Sequence, residues 1–192
     1  MKTGIILLAA GGSSRLGQPK QLLLYEGQTL LRRMALTAAE SQCGRVIVIL
    51  GKDADACAVE LRDLPVRIAQ NQEWAEGMVS SLRAGLAVLS EVEPEAEAVL
   101  IMVCDQPRVD GNLLRALVRQ CQGNTSIVAS GYSDALGVPA VFARRHFPEL
   151  MELRGDHGAK ILLAQHADLV AAVPFPEGAI DIDAPEDLAV SE

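Results

Sequence analysis

The chain has 192 residues and a formal net charge of −8, which argues against nonspecific attraction to nucleic acid or to an anionic membrane. Hydrophobic residues make up 49% and charged ones 22%, the balance of a globular protein with a real core; aromatics at 3% leave that core aliphatic and disfavour a nucleic-acid surface of stacked rings. Cys43, Cys57, Cys104 and Cys121 lack CxxC spacing and read as small buried hydrophobes in a reducing compartment. The opening MKTGIILLAAGG has too short an apolar stretch for a secretory signal, and no run approaches a membrane span. The expectation is a single cytoplasmic domain over 1–192, monomeric, with no nucleic-acid or membrane partner.

Apolar runs of strand length alternate with helical patterns, the mark of a mostly parallel sheet with helices on both faces. Residues 4–9, apolar throughout, read as a central strand. A helix follows over 29–43, where Leu30, Leu31, Met34, Leu36, Ala38 and Ala39 give a broad apolar face and Gly44 marks the stop. Next come a strand over 45–50, a short helix over 53–62 with Asp53 as candidate cap, and a strand over 66–69. Leu82, Leu86 and Leu89 set one stripe of a helix over 77–90, and the acidic stretch 91–97 reads as a solvated loop. Residues 98–104, AVLIMVC, form the most apolar strand and belong at the sheet centre. A helix over 111–121, strands over 126–129 and 138–143, helices over 148–153 and 159–165, a strand over 169–173 and a short terminal helix complete a three-layer α/β/α, Rossmann-like fold.

Ligands of such sheets sit beyond the carboxyl ends of the strands. Directly after the first strand runs LLAAGGSSRLGQPK, 7–20. Little side-chain bulk lets backbone N–H groups approach an anion closely, and Arg15 and Lys20 supply full charges for phosphate oxygens. The loop is not a Walker A loop, because Gln18 and Pro19 follow Gly17, and its glycines lack GxGxxG spacing. A plain glycine-rich turn with exposed cations is the alternative.

VCDQP, 103–107, sets Asp105 at the end of the central strand, where it either faces the same crevice and holds a divalent cation or caps a turn. In DIDAPEDL, 181–188, Asp181 and Asp183 alternate, so an extended segment points both to one side. One of them could complete a metal site, or Asp183 could cap a helix. Asn71, Gly77, Met78, Ser80, Ser81 and Gly85 form a small polar patch at a helix start, a place suited to anions, although Met78 and Leu82 also fit the core. LRGDHGAK, 153–160, reads as a helix–helix turn or as a loop that closes over substrate. No Ser–His or Cys–His constellation is visible, so no covalent intermediate is expected.

In order and spacing, LAAGGSSRLGQPK, CDQP and DIDAPEDL resemble the nucleotidyltransferase superfamily that activates phosphorylated metabolites with nucleoside triphosphates. With NQEWAEGMVSSLRAG at 71–85, GVPAVF at 137–142 and LRGDHGAK, the chain is similar over essentially its whole length to molybdenum cofactor cytidylyltransferases. The resemblance implies Mg²⁺-dependent transfer of CMP from CTP, or from another NTP in its place, to a phosphorylated pterin, molybdopterin, with release of pyrophosphate and a molybdoenzyme as client. It implies nucleotide contacts from Leu8, Ala9, Ala10, Gly11, Gly12, Ser13, Asn71 and Ser81, catalytic charge from Arg15, Lys20 and Asp105, and metal held by Asp105 with Asp183 or Asp181. Acceptor contacts are implied for Gly77, Met78, Ser80, Gly155, Asp156 and His157. Relatives with LAGG in the loop transfer guanylyl groups, and Ala10 in place of that glycine leans the reading toward CTP. His157 and Lys160 depart from the basic residue and Arg that many relatives carry there. A guanylyl or sugar-phosphate nucleotidyl transfer on the same scaffold, and a chaperone-like carrier of the cofactor, stay open as alternatives.

Overall fold

The computed structural model describes residues 1–12, 19–122, 126–133, 135–155, 158–179 and 182. In chain order these form β1 (Thr3–Ala9), a two-stranded ribbon of β2 (Leu24–Tyr25) and β3 (Gln28–Thr29), α1 (Leu30–Glu40), β4 (Arg45–Leu50), α2 (Ala54–Val59) and β5 (Val66–Gln70). There follow α3 (Met78–Val92), β6 (Ala98–Val103), α4 (Gly111–Gln120), the hairpin β7 (Ile127–Tyr132) and β8 (Ala135–Ala143), α5 (Phe147–Glu152), α6 (Lys160–Gln165) and β9 (Val170–Pro174). Seven strands make one sheet in the order β5-β4-β1-β6-β8-β7-β9. Among the described residues no helix is long and apolar enough to cross a membrane.

β1 shows why the sheet is buried on both faces. Ile5, Leu7 and Ala9 point into the layer of Met34, Ala35, Leu114 and Leu117 from α1 and α4. Ile6 and Leu8 point the other way, into Val79, Leu82 and Leu86 of α3. Side chains alternate along a strand, so a strand covered on both sides must be apolar at every position.

The topology also fixes where a ligand fits. From β1 the chain winds outward through β4 to β5, then returns to place β6 on the opposite side of β1, with β1, β4, β5 and β6 all parallel. The connections leaving β1 and β6 therefore run in opposite directions, and a crevice opens beyond their carboxyl ends, at the switch point.

Helix α1 begins where Thr29 Oγ1 accepts the N–H of Arg32, a cap that satisfies one orphan donor of the first turn. Its stop differs from the expected one. The left-handed residue is Gln42, at φ 55°, not Gly44. Gly44 is small for another reason: a Cβ there would overlap the carbonyl oxygen of Thr3 in β1. Asp53 precedes α2 without a side-chain capping bond.

The larger departure is β8. It runs antiparallel to both β6 and β7, because β7 turns back at once through Ser133, at φ 49°. A return that tight admits no crossover helix, so the strands must oppose each other.

Candidate active site

The two loops at the switch point meet. Beyond the end of β1 the backbone at Gly12 passes close to the ring of Trp74; a Cβ on Gly12 would stand 2.8 Å from Trp74 Cζ3. Bare backbone is what lets the indole lie there. The strand end is held from beneath by Gln21, which is 3% exposed. Its Nε2 donates to the carbonyl of Ala9 at 2.9 Å and to that of Gly11 at 2.8 Å.

In a trans peptide the C=O of one residue and the N–H of the next point in opposite directions. Drawing the Ala9 and Gly11 carbonyls onto Gln21 therefore turns the N–H groups of Ala10 and Gly12 away from it. Both Ala10 and Gly12 line the cleft. Gln21→Leu is expected to leave the two carbonyls without that donor and to cost about 1–3 kcal/mol of stability, read from urea denaturation; an unchanged midpoint would remove the clamp from the account.

At the end of β6 stands Asp105. Its Oδ2 accepts from Lys20 Nζ at 2.6 Å, with the two side chains 20% and 21% exposed. Residues separated by 85 positions are thus joined across the crevice. Asp105 is stitched to the tail as well: its carbonyl accepts the N–H of Ile182 at 2.9 Å. Ile182 is fully buried with Leu23, Tyr25 and Leu30, and Gln106 Nε2 donates to the Gly178 carbonyl at 3.2 Å. Ile182 lies between Asp181 and Asp183 in the sequence. Those two aspartates, with Ser13, Arg15, Asp156 and His157, lie outside the described residues.

The third wall is the start of α3. Gly77 precedes it at φ 102°, a left-handed conformation that favours glycine. Gly77, Met78 and Ser81 line the cleft, and Met78 is 44% exposed there, so it is no core residue, whereas Leu82 is fully buried. Asn71 and Ser80 are spent on each other. Asn71 Nδ2 donates to Ser80 Oγ at 2.7 Å and to Ser81 Oγ at 3.0 Å, while its Oδ1 accepts the N–H of Glu73 at 2.9 Å. Ser80 Oγ in turn lies 2.8 Å from the carbonyls of both Glu73 and Gly77, between which its single proton is shared. This network holds the Trp74 turn against α3. Gly85 packs rather than binds: a Cβ on it would come 2.6 Å from Ile6 Cγ2.

Together these walls enclose a cleft of about 380 Å³ that brings Leu8, Ala9, Ala10, Gly11, Gly12, Lys20, Gly77, Met78, Ser81 and Asp105 to one place. Gly155 does not line it; it is a turn residue at φ 86°. Gly158 reaches the cleft indirectly, with a Cβ there 2.8 Å from Met78 Sδ. Trp74 and Gln21 line the cleft and went unmarked in the sequence as site residues. A lone tryptophan three residues before a glycine-started helix was the available signal for the first; nothing in the sequence pointed to the second.

Among the described residues, the cleft offers strand-end backbone amides, one ammonium and one carboxylate. Cys104 also borders it, but burial pushes its thiol far above the usual range, so it supplies no nucleophile. Asp105 presents hard oxygen donors, the kind that Mg²⁺ and Mn²⁺ take.

Comparison with known proteins agrees with this layout. Residues 5–170 match the family described as MobA-like NTP transferase domain. The chain is 34% identical over 177 residues to nicotine blue oxidoreductase of Paenarthrobacter nicotinovorans, covering 86% of this chain and 83% of that protein. It is 28% identical over 194 residues to a protein of Trichormus variabilis named "Probable molybdenum cofactor guanylyltransferase", covering 96% and 88%. Among solved structures, that of Rv0371c from Mycobacterium tuberculosis H37Rv superposes with a TM-score of 0.84 at 30% identity, covering 99% of this chain and 97% of that one. A complex of the same mycobacterial protein with manganese gives a TM-score of 0.81 at 28% identity, with the same coverage.

Proposed function

The chain belongs to the family of MobA-like NTP transferase domains, and from that premise we propose that it transfers CMP from CTP to the phosphate of a pterin cofactor of the molybdopterin class, releasing pyrophosphate. The observation that carries the reading is the meeting of Lys20 and Asp105 at 2.6 Å beside a glycine-rich strand end. A cation, a carboxylate and strand-end amides in one crevice are what a metal-bound triphosphate requires.

The reaction needs no covalent intermediate. A phosphate oxygen of the acceptor attacks the α-phosphorus in line; the new P–O bond forms as the bond to the β-phosphate oxygen breaks, and pyrophosphate departs on the opposite face. The amides of Ala10 and Gly12 receive phosphate oxygens, and Lys20 and Arg15 take up charge that grows on the leaving pyrophosphate. Asp105, with Asp183 or Asp181, would hold Mg²⁺, which when bound neutralises phosphate charge and orients the two anions; the manganese complex of the mycobacterial relative supports a divalent ion here. Gly77 and Met78 would face the acceptor, with Asn71 and Ser80 holding the wall that supports it. The methyl of Ala10 narrows the strand end and favours the smaller pyrimidine over guanine.

Pyrophosphate release should be measured with each of the four NTPs, Mg²⁺ and molybdopterin, alongside binding followed by the fluorescence of Trp74, the only tryptophan of the chain. The expected result is preference for CTP. Preference for GTP would overturn the base assignment and keep the transfer. The relative named as an oxidoreductase, 34% identical, makes one other reading concrete: a retained nucleotide cleft with different chemistry. Nucleotide binding without pyrophosphate release from any NTP would favour it.

A further inference from the structure

Away from the cleft, two of the three histidines of the chain converge on one carboxylate. His146 ends the turn after β8, Glu149 lies on α5, and His166 follows α6. Glu149 Oε1 is 2.8 Å from His146 Nδ1, and its Oε2 is 2.7 Å from His166 Nε2. The three donor atoms all lie within 4.8 Å of one another. The imidazole rings stand 5.1 Å apart at 62°. His146 is buried, whereas Glu149 and His166 reach solvent.

We propose that His146, Glu149 and His166 form a binding site for a transition-metal dication of the zinc class, separate from the nucleotide cleft. Two imidazoles and one carboxylate make a donor set that zinc accepts with a fourth position left for water. Mg²⁺, which seeks oxygen ligands, does not compete for it.

The surroundings suit a ligating histidine. A metal-bound imidazole donates its other N–H to a second group that fixes the tautomer. Ser126 Oγ, itself 2% exposed, lies 3.0 Å from His146 Nε2 and can accept that N–H. His146 then presents the Nδ1 lone pair to the site. Without metal the same atoms close as a hydrogen-bonded bridge through Glu149, so the ligands stand assembled before an ion arrives. Metal entry replaces two N–H donors by two nitrogen lone pairs and needs the proton of each ring to leave or move to the far nitrogen.

Position gives the site a consequence. In the chain Glu149 precedes and His166 follows Gly158, which abuts Met78 of the cleft. An ion at this clasp would tie α5 to the end of α6.

The test is a Co²⁺ titration of the full chain in excess Mg²⁺, followed by visible d–d absorption, then displacement by Zn²⁺. One equivalent is expected on the unaltered chain, lost in both His166→Ala and Glu149→Gln, and about 10-fold or more weaker in Ser126→Ala. Glu149→Gln keeps the side chain's size, so the comparison survives if His166→Ala folds poorly; circular dichroism checks both. Equal binding by the unaltered chain and these variants would overturn the proposal. So would a sulfur-to-cobalt charge-transfer band, which would place the ion on a cysteine.

Discussion

Asp105→Asn is expected to leave the protein folded and to lower pyrophosphate release from its preferred NTP by about 1000-fold or more, the equivalent of several kcal/mol of transition-state charge stabilisation. The substitution keeps size and one carbonyl oxygen. The Ile182 N–H bonds the Asp105 backbone carbonyl, not its side chain, so the stitch to the tail is untouched. Lys20 loses a charged partner but is 21% exposed, so solvent absorbs part of that loss. Circular dichroism and the unfolding midpoint should therefore change little. What disappears is the anionic oxygen that a divalent ion needs, and raising Mg²⁺ should not restore turnover. Near-normal turnover in Asp105→Asn would reject the metal role.

Lys20→Ala should cut kcat/KM for the nucleotide by about 100- to 1000-fold, with both kcat and KM affected. In the proposed reaction the lysine would meet the triphosphate as a point charge whose value rises as negative charge grows on departing pyrophosphate. Lys20→Arg should rescue only partly, because a planar guanidinium cannot occupy the place of a compact ammonium 2.6 Å from Asp105. An unchanged kcat/KM in Lys20→Ala would take this residue out of the mechanism.

The halves of this crevice were legible in the sequence because each is signalled locally. β1 from Ile5 onward and all of β6 are apolar, and each run ends abruptly, in glycines after one and in Asp105, Gln106 and Pro107 after the other. The cap at Thr29 was unread, although the helix that it starts was not. What stayed hidden depends on pairing. β8 has the same apolar composition whether it runs with or against β6, and the turn at Ser133 carries no glycine to announce it. Asn71 and Ser80 illustrate a second limit: polar groups that satisfy one another look, in one dimension, like polar groups awaiting a ligand. Gln21 shows the reverse, since a glutamine between a lysine and two leucines looks like surface until its amide is found beneath two strand-end carbonyls.

The ammonium–carboxylate contact across the crevice shapes how an anion enters a chain that is already negative overall. Neither Lys20 nor Asp105 waits with an unanswered charge, so this pair by itself exerts little pull at a distance on an anion. Under the proposed reaction, a triphosphate that brings its own dication would perform an exchange instead: ammonium to phosphate and carboxylate to metal, so that the count of opposite-charge contacts rises without either side chain being stranded. A site of that kind would discriminate against bare anions and bare cations alike, and open to the two only as a couple.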